Sequence, residues 1–248
     1  VEKGQRKVIL STNISETSLT IPGVRFVVDC GLVKLKSVVG QMDVLRIVPA
    51  SKATAIQRAG RAGREAPGIC FRLYRELDFD RLAESTPPEI TRCELTSVLL
   101  QVAAMGLVPK LYPSLAAFPF IDAPSSTAIK RAEIVLKRLG AMTNNTITPY
   151  GKQLAGYPLH PMLAHLVLTS EEFGCSKEAI ILAAMLSVDN LMGPKQKSLG
   201  DHWSLVCMYL KQNNDFNAGA MKKIGQIVAQ LGKIFKGTPN TEKADPIR

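Results

Sequence analysis

A chain of 248 residues that is 46% hydrophobic can form one to three domains with a substantial core. Its 31 Lys+Arg exceed its 21 Asp+Glu, giving a net charge of +10, a balance that suits a polyanion such as nucleic acid and also suits solubility alone. No apolar run is long enough to cross a membrane and no signal-peptide pattern opens the chain, which excludes a membrane-spanning helix.

The chain opens on Val1 and runs at once into an apolar stretch, so it reads as part of something longer. RKVILST (6–12), VRFVVDCG (24–31) and GICFRLY (68–74) are short β-branched or apolar runs and predict strands. VKLKSV (33–38) and DVLRIV (43–48), separated by VGQM, predict a hairpin with a glycine turn. SKATAIQRAGRAGR (51–64) predicts a helix with Ser51 as its cap. Short strands with a helix among them imply part of an α/β sheet, whose strand-end loops carry the chemistry.

The pattern changes after STPPEI (85–90). ELTSVLLQVAAMGL (94–107) has helical spacing, PSLAAFPFIDAP (113–124) reads as a loop, and SSTAIKRAEIVLKRLGAM (125–142) is an amphipathic helix capped by Ser125 or Ser126 with Gly140 near its end. A short strand and turn follow in NTITPYG, and helix, helix, strand is the outline of a winged helix. From 152 onward the chain reads as almost wholly helical. Its last helix carries the stripe Ile224, Ile227, Val228, Leu231, Ile234 and Phe235, with Lys222, Lys223, Lys233 and Lys236 opposite, a solvated face or a phosphate-facing one. Cys30, Cys70, Cys93, Cys175 and Cys207 form no C-x-x-C pair and the histidines do not join them. They read as reduced, buried thiols of an intracellular protein, with no disulfide framework and no zinc or other metal site.

QRAGRAGR (57–64) repeats arginine every third residue, at Arg58, Arg61 and Arg64, with small residues between. On one helix these would form a stripe of like charges that repel until an anion arrives. Gly60 and Gly63 each weaken a helix by about 1 kcal/mol relative to alanine, which implies a gain in close approach. The arginine fork donates two parallel bonds to phosphate, and Gln57 supplies an amide able to orient water, a set apt for a nucleotide γ-phosphate. The spacing alone fits equally a small-residue helix packed on a neighbour with its arginines in solvent. STNISETSLTIPGV (11–24) is a polar loop directly after a strand, rich in groups that bind phosphate and ribose.

Together these stretches resemble motifs V and VI of superfamily 2 helicases in the form found in DEAH-box RNA helicases. STPPEITRCELTSVLLQVAAMGL is similar to the start of that family's winged helix, and TPYGKQLAGYPLHPMLAHLVL, GCSKEAIILAAMLSVDNL and GDHWSLVCMY to parts of its ratchet domain. The resemblance implies a partial α/β RecA-like domain over 1–90, a winged-helix domain over 91–151 and a mostly α-helical ratchet (HA2) domain over 152–248. It implies that Gln57 positions the hydrolytic water and that Arg61 and Arg64 are arginine fingers on ATP, while Arg58 makes bonds inside its own domain. Ser18 and Thr20 would lie near the nucleotide, and Thr12 and Asn13 on the RNA backbone.

ATP with Mg2+ would be the cofactors, the Mg2+ ligands coming mostly from a first RecA-like domain, and single-stranded RNA the partner, with a G-patch-type activator or a ribonucleoprotein complex beside it. The implied locations are nucleus or cytoplasm, with the mitochondrion open. Pro22 departs from the family, which carries an acidic residue there, since proline has no acceptor side chain for a ribose. GPKQKSL stands where the family has a longer link. The sequence has no G-x-x-x-x-G-K-[ST] and no D-E-A-H, so these residues alone should not hydrolyse ATP. Two other classes compete: a degenerate helicase-like subunit with a structural role, and a winged-helix module for duplex DNA, for which KRAEIVLKRLG (130–140) is only moderately basic.

Overall fold

The computed structural model describes residues 5–16, 21–39, 42–188, 202–211 and 217–235. The chain divides into two compact units, Val1–Glu94 with Phe120–Pro124, and Leu95–Pro119 with Ser125–Arg248.

The first unit is α/β. Strand β1 (Phe26–Asp29) pairs in parallel with β4 (Ile69–Arg72), placing Phe26 beside Ile69 and Asp29 beside Arg72. Along β1 the side chains alternate, so Asp29 is buried while Phe26 and Val28 are each 65% exposed. Strands β2 (Leu32–Val39) and β3 (Met42–Pro49) form the expected antiparallel hairpin. RKVILST is not a strand: its backbone is irregular, with Val8 and Leu10 exposed. An apolar run becomes a strand only when a neighbour takes its N–H and C=O groups, and among the described residues β1 and β4 pair only with each other.

Helix α1 (Lys52–Ala59) begins where expected, with the Ser51 hydroxyl accepting from the Thr54 N–H at 3.2 Å. The Lys52 and Ala53 N–H groups donate to the carbonyls of Ala83 and Glu84, so the loop before the second unit closes the helix start. Helix α2 (Glu76–Asp80) is short and follows β4. The hairpin is fastened to the end of the same unit. Val38 N–H donates to the Arg92 carbonyl at 3.0 Å, the Arg92 guanidinium donates to the Lys36 carbonyl, and Glu94 N–H donates to Asp43, which also pairs with Lys36.

Among the described residues the second unit is built mostly of helices, with one small hairpin. Helix α3 (Thr96–Ala104) packs on α4 (Ser126–Arg138), and Ser125 is the α4 cap. Strands β5 (Met142–Thr143) and β6 (Thr146–Ile147) turn through Asn144 and Asn145, whose φ values of 47° and 61° suit asparagine. Helices α5 (Pro149–Ala155), α6 (Pro161–Thr169), α7 (Ser176–Leu186), α8 (His202–Leu210) and α9 (Ala218–Ile234) follow. Their apolar faces close one core that includes Leu99, Leu136, Leu154, Met185, Ile224 and Leu231. Lys222, Lys223 and Lys233 face solvent on α9, and Lys236 and GPKQKSL lie outside the described residues.

The cysteines depart from expectation. All five are free thiols, but none is buried: Cys30 and Cys175 are exposed and the other three half-buried. Cys30 follows the buried Asp29 and points the opposite way, and Cys175 lies in the turn just before α7, so apolar neighbours in sequence do not enclose them.

Candidate functional site

Helix α1 carries QRAGRAGR only as far as Ala59. Beyond it the chain tightens: Arg61 and Ala62 N–H donate to the carbonyls three residues back, at 3.1 Å each. The three arginines therefore share no continuous helical stripe. The glycines end the helix instead of admitting a close neighbour, since nothing lies within 4 Å of a Cβ built at Gly63 and only α1's own carbonyls approach Gly60.

Arg58 turns inward. Its guanidinium bonds Glu16 and Asp29, each at 2.7 Å, and the Leu32 carbonyl at 3.0 Å. Asp29 is buried at the end of β1 and also accepts from Gly31 N–H at 3.0 Å and from the Tyr74 hydroxyl at 2.9 Å. Burial pushes the Asp29 carboxyl up, but the bonds from Gly31, Arg58 and Tyr74 outweigh it and hold the pKa below 3.8. Burial and the bond to Asp29 together push the Tyr74 phenol up to about 12. Gly31 is required here: its φ is +72°, and a Cβ would stand 2.6 Å from the Tyr74 ring. Arg58 thus makes the internal bonds expected of it, and it is held against two carboxylates.

Arg61 is half-buried and its guanidinium donates to the Glu16 carbonyl; Arg64 is exposed. With Glu16, Gln57 and Gly60 they line an open recess of about 370 Å³. Sequence-predicted Gln57, Arg61 and Arg64 therefore come together at one place, and the recess offers two guanidinium groups and an amide, a donor set that fits a polyphosphate. Among the described residues no group of three or more His, Cys, Asp or Glu could hold a metal ion.

Thr12 and Asn13 stand outside the recess. They open a short 3₁₀ turn, Asn13–Ser15, which leads directly to Glu16, and both are exposed. Ser18 and Thr20 lie outside the described residues. Pro22 is exposed, and beside it Gly23 N–H donates to the Glu65 carboxylate at 2.8 Å, lacing the polar loop to the segment after Arg64. Gly68 completes that lacing: a Cβ there would lie 2.5 Å from the Arg25 carbonyl oxygen and closer still to that of Ala62. Sequence reasoning missed Glu16, Asp29 and Tyr74. A lone acid inside a hydroxyl-rich loop and an acid closing a β-branched run were the available signals.

Residues 1–66 match the helicase conserved C-terminal domain, and residues 160–217 match the helicase associated domain (HA2), described as ratchet-like. The chain is 39% identical to the human ATP-dependent RNA helicase DHX33 over 94% of its own length and 36% of that protein's. It is 45% identical to the Arabidopsis thaliana pre-mRNA-splicing factor ATP-dependent RNA helicase DEAH10, over 86% of this chain and 31% of that protein. The crystal structure of the Escherichia coli DEAH/RHA helicase HrpB superposes on 96% of this chain and 28% of that one, with a TM-score of 0.74 and 28% identity. The chain thus spans about a third of the length of the curated relatives it matches. It belongs to the DEAH-box superfamily 2 helicases, of which it carries part of the conserved C-terminal RecA-like domain and the ratchet-like region that follows.

Proposed function

We propose that this chain is the C-terminal part of an ATP-dependent RNA helicase that moves along single-stranded RNA and remodels RNA or ribonucleoprotein. The observation that carries this reading is the shared recess of Gln57, Arg61 and Arg64, from which the half-buried Arg58 is withdrawn into its own ion pairs. Gln57 orients the attacking water by its amide, and Arg61 and Arg64 place positive charge where it develops on the transferred phosphoryl oxygens. Glu16 holds Arg61 through its carbonyl and Arg58 through its carboxylate, so one residue of the polar loop keeps both arginines in place. Ser18 and Thr20 serve the nucleotide, and Thr12 and Asn13 grip the RNA backbone. The Mg2+ that accompanies ATP supplies charge neutralisation at the phosphates, its ligands coming mostly from another domain of the parent protein. In this reading the division is RecA-like to residue 90, winged helix to 151 and ratchet beyond, and the protein works inside the cell, where a G-patch-type activator is a fitting partner. Support comes from the names of the relatives, all ATP-dependent RNA helicases.

The test is RNA-stimulated ATP hydrolysis by the full parent protein beside its Arg64→Ala variant. A finger of this kind contributes about 10³-fold or more in rate, so the variant should lose stimulation by that order while remaining folded and still binding RNA. A parent protein that binds RNA without hydrolysing ATP would instead make this chain part of a structural subunit.

A further inference from the structure

Helix α4 presents four cations on one line. Lys130, Ile134, Lys137 and Arg138 stand at i, i+4, i+7 and i+8, and Arg131 joins them three residues before Ile134 and seven before Arg138. All four cations are exposed, and Ile134 at their centre is 49% exposed. The opposite face, Ile129, Ala132 and Leu136, is buried in the unit's core, so the stripe is fixed outward. From Lys130 to Arg138 the row is about 12 Å long on a rigid axis.

Three observations set this apart from an ordinary solvated helix face. Between Leu95 and Ala155 there are six Lys/Arg and only two Asp/Glu, Asp122 and Glu133. Among the described residues none of the four cations forms an ion pair, although Glu133 stands one turn from Lys130 and Lys137. A surface helix built for solvent usually interleaves both signs at these spacings. Finally, α4 is the helix immediately before the β5–β6 hairpin, the place in a helix-turn-helix relative where the nucleic-acid-facing helix stands.

We propose that the α4 stripe of Lys130, Arg131, Lys137 and Arg138 is a docking surface for the phosphate backbone of duplex RNA. The deep, narrow major groove of an A-form helix does not admit an α-helix, so α4 lies across the shallow side, its cations on phosphates and Ile134 against the sugars between them. Two pairs of cations two turns apart on one rigid helix face match the regularly spaced phosphates of a duplex better than those of a flexible single strand. The surface is separate from the Arg61–Arg64 recess and rests only on RNA being the ligand, not on nucleotide chemistry.

The experiment measures binding of a blunt RNA duplex of about sixteen base pairs to the 248-residue chain by fluorescence anisotropy across a salt series, without nucleotide. The variant Lys130→Gln/Lys137→Gln/Arg138→Gln should bind the duplex at least about ten-fold more weakly at 0.1 M salt, with the slope of log affinity against log salt reduced by about 2 to 3. A control with Lys222→Gln/Lys223→Gln/Lys233→Gln changes net charge equally and should alter the slope by less than about 1. The charge-preserving Lys130→Arg/Lys137→Arg should bind as the parent chain does. Matching circular dichroism and thermal unfolding keep the comparison among folded proteins. Equal losses in the α4 and α9 variants would overturn the proposal as mere net charge. A single strand of the same length losing as much as the duplex would overturn the duplex assignment, and an equal loss of polyglutamate binding would assign the face to an acidic polypeptide instead.

Discussion

The two units of this chain are stabilised by different physics. In the Val1–Glu94 unit the buried apolar side chains are Val33, Ala50, Ala55 and Ala62, and the buried polar ones are Asp29, Ser51 and Thr54. Its larger apolar groups, Phe26, Val28, Ile69 and Phe71, are more than half exposed. What fixes the geometry is a chain of charged bonds, Glu16–Arg58–Asp29–Tyr74. The unit from Leu95 onward inverts this, with Leu99, Leu136, Leu154, Met185, Ile224 and Leu231 essentially sealed from solvent. The first unit fixes its geometry through directional charged bonds, whereas the second fills its interior with leucine, isoleucine and methionine.

The contrast is broken most directly at Arg58. Arg58→Ala strands the Asp29 carboxylate in a buried site, an effect of about 3 to 5 kcal/mol when one partner of a buried pair is removed. Urea unfolding followed at separate probes in each unit should show the first unit melting early and the second unchanged. Leu136→Ala is the mirror experiment: it should cost about 2 to 5 kcal/mol, through transfer and cavity terms, in the second unit only. If either substitution moved both transitions equally, the division into two physical regimes would be wrong.

The smallest effect concerns pH: Asp29 and Tyr74 shape the first unit's stability curve, while burial also pushes the Tyr150 and Tyr157 phenols up in the second. The folded pKa of Asp29 is held below 3.8, so the stability it contributes is present above the ordinary carboxylate range and is lost as pH falls through that lower value. Tyr74 is shifted the other way, from 10.0 up to about 12, so its contribution is present below pH 10.0 and is lost as pH rises toward about 12. Tyr74→Phe should flatten the alkaline limb of the first unit's stability curve and leave that of the second as it was.

The second unit was the more legible from sequence because each helix buries one face, and burial of one face writes a period into the residues. The stripe read on the last helix is the one that packs, with Ile224 and Leu231 fully buried. The β2–β3 hairpin and the Ser51 cap were legible for the same local reason. In the first unit the decisive contacts are remote: Arg58 meets Glu16 across 42 positions and Asp29 across 29, and no period records such pairs. Spacing shows the arginines as a set and only the family resemblance assigns Arg58 to internal bonds, but neither names its partners Glu16 and Asp29. The helix was extended too far because arginine spacing outweighed two glycines, and RKVILST was taken for a strand because composition reports willingness to pair, not the presence of a neighbour.

The two-stranded β1–β4 sheet also governs how this chain behaves in a tube. Among the described residues each strand offers one row of backbone N–H and C=O groups that no other strand pairs, flanked by the exposed Phe26, Val28, Ile69 and Phe71, which is a template for another copy of the same strands. Mutual repulsion from the +10 net charge is the counterweight. It is a counterweight that salt removes, since screening shortens to about 8 Å at physiological ionic strength. Concentrated stocks of these 248 residues should therefore stay clear in dilute buffer and cloud in concentrated salt, the reverse of what an exposed charged surface alone would lead one to plan for.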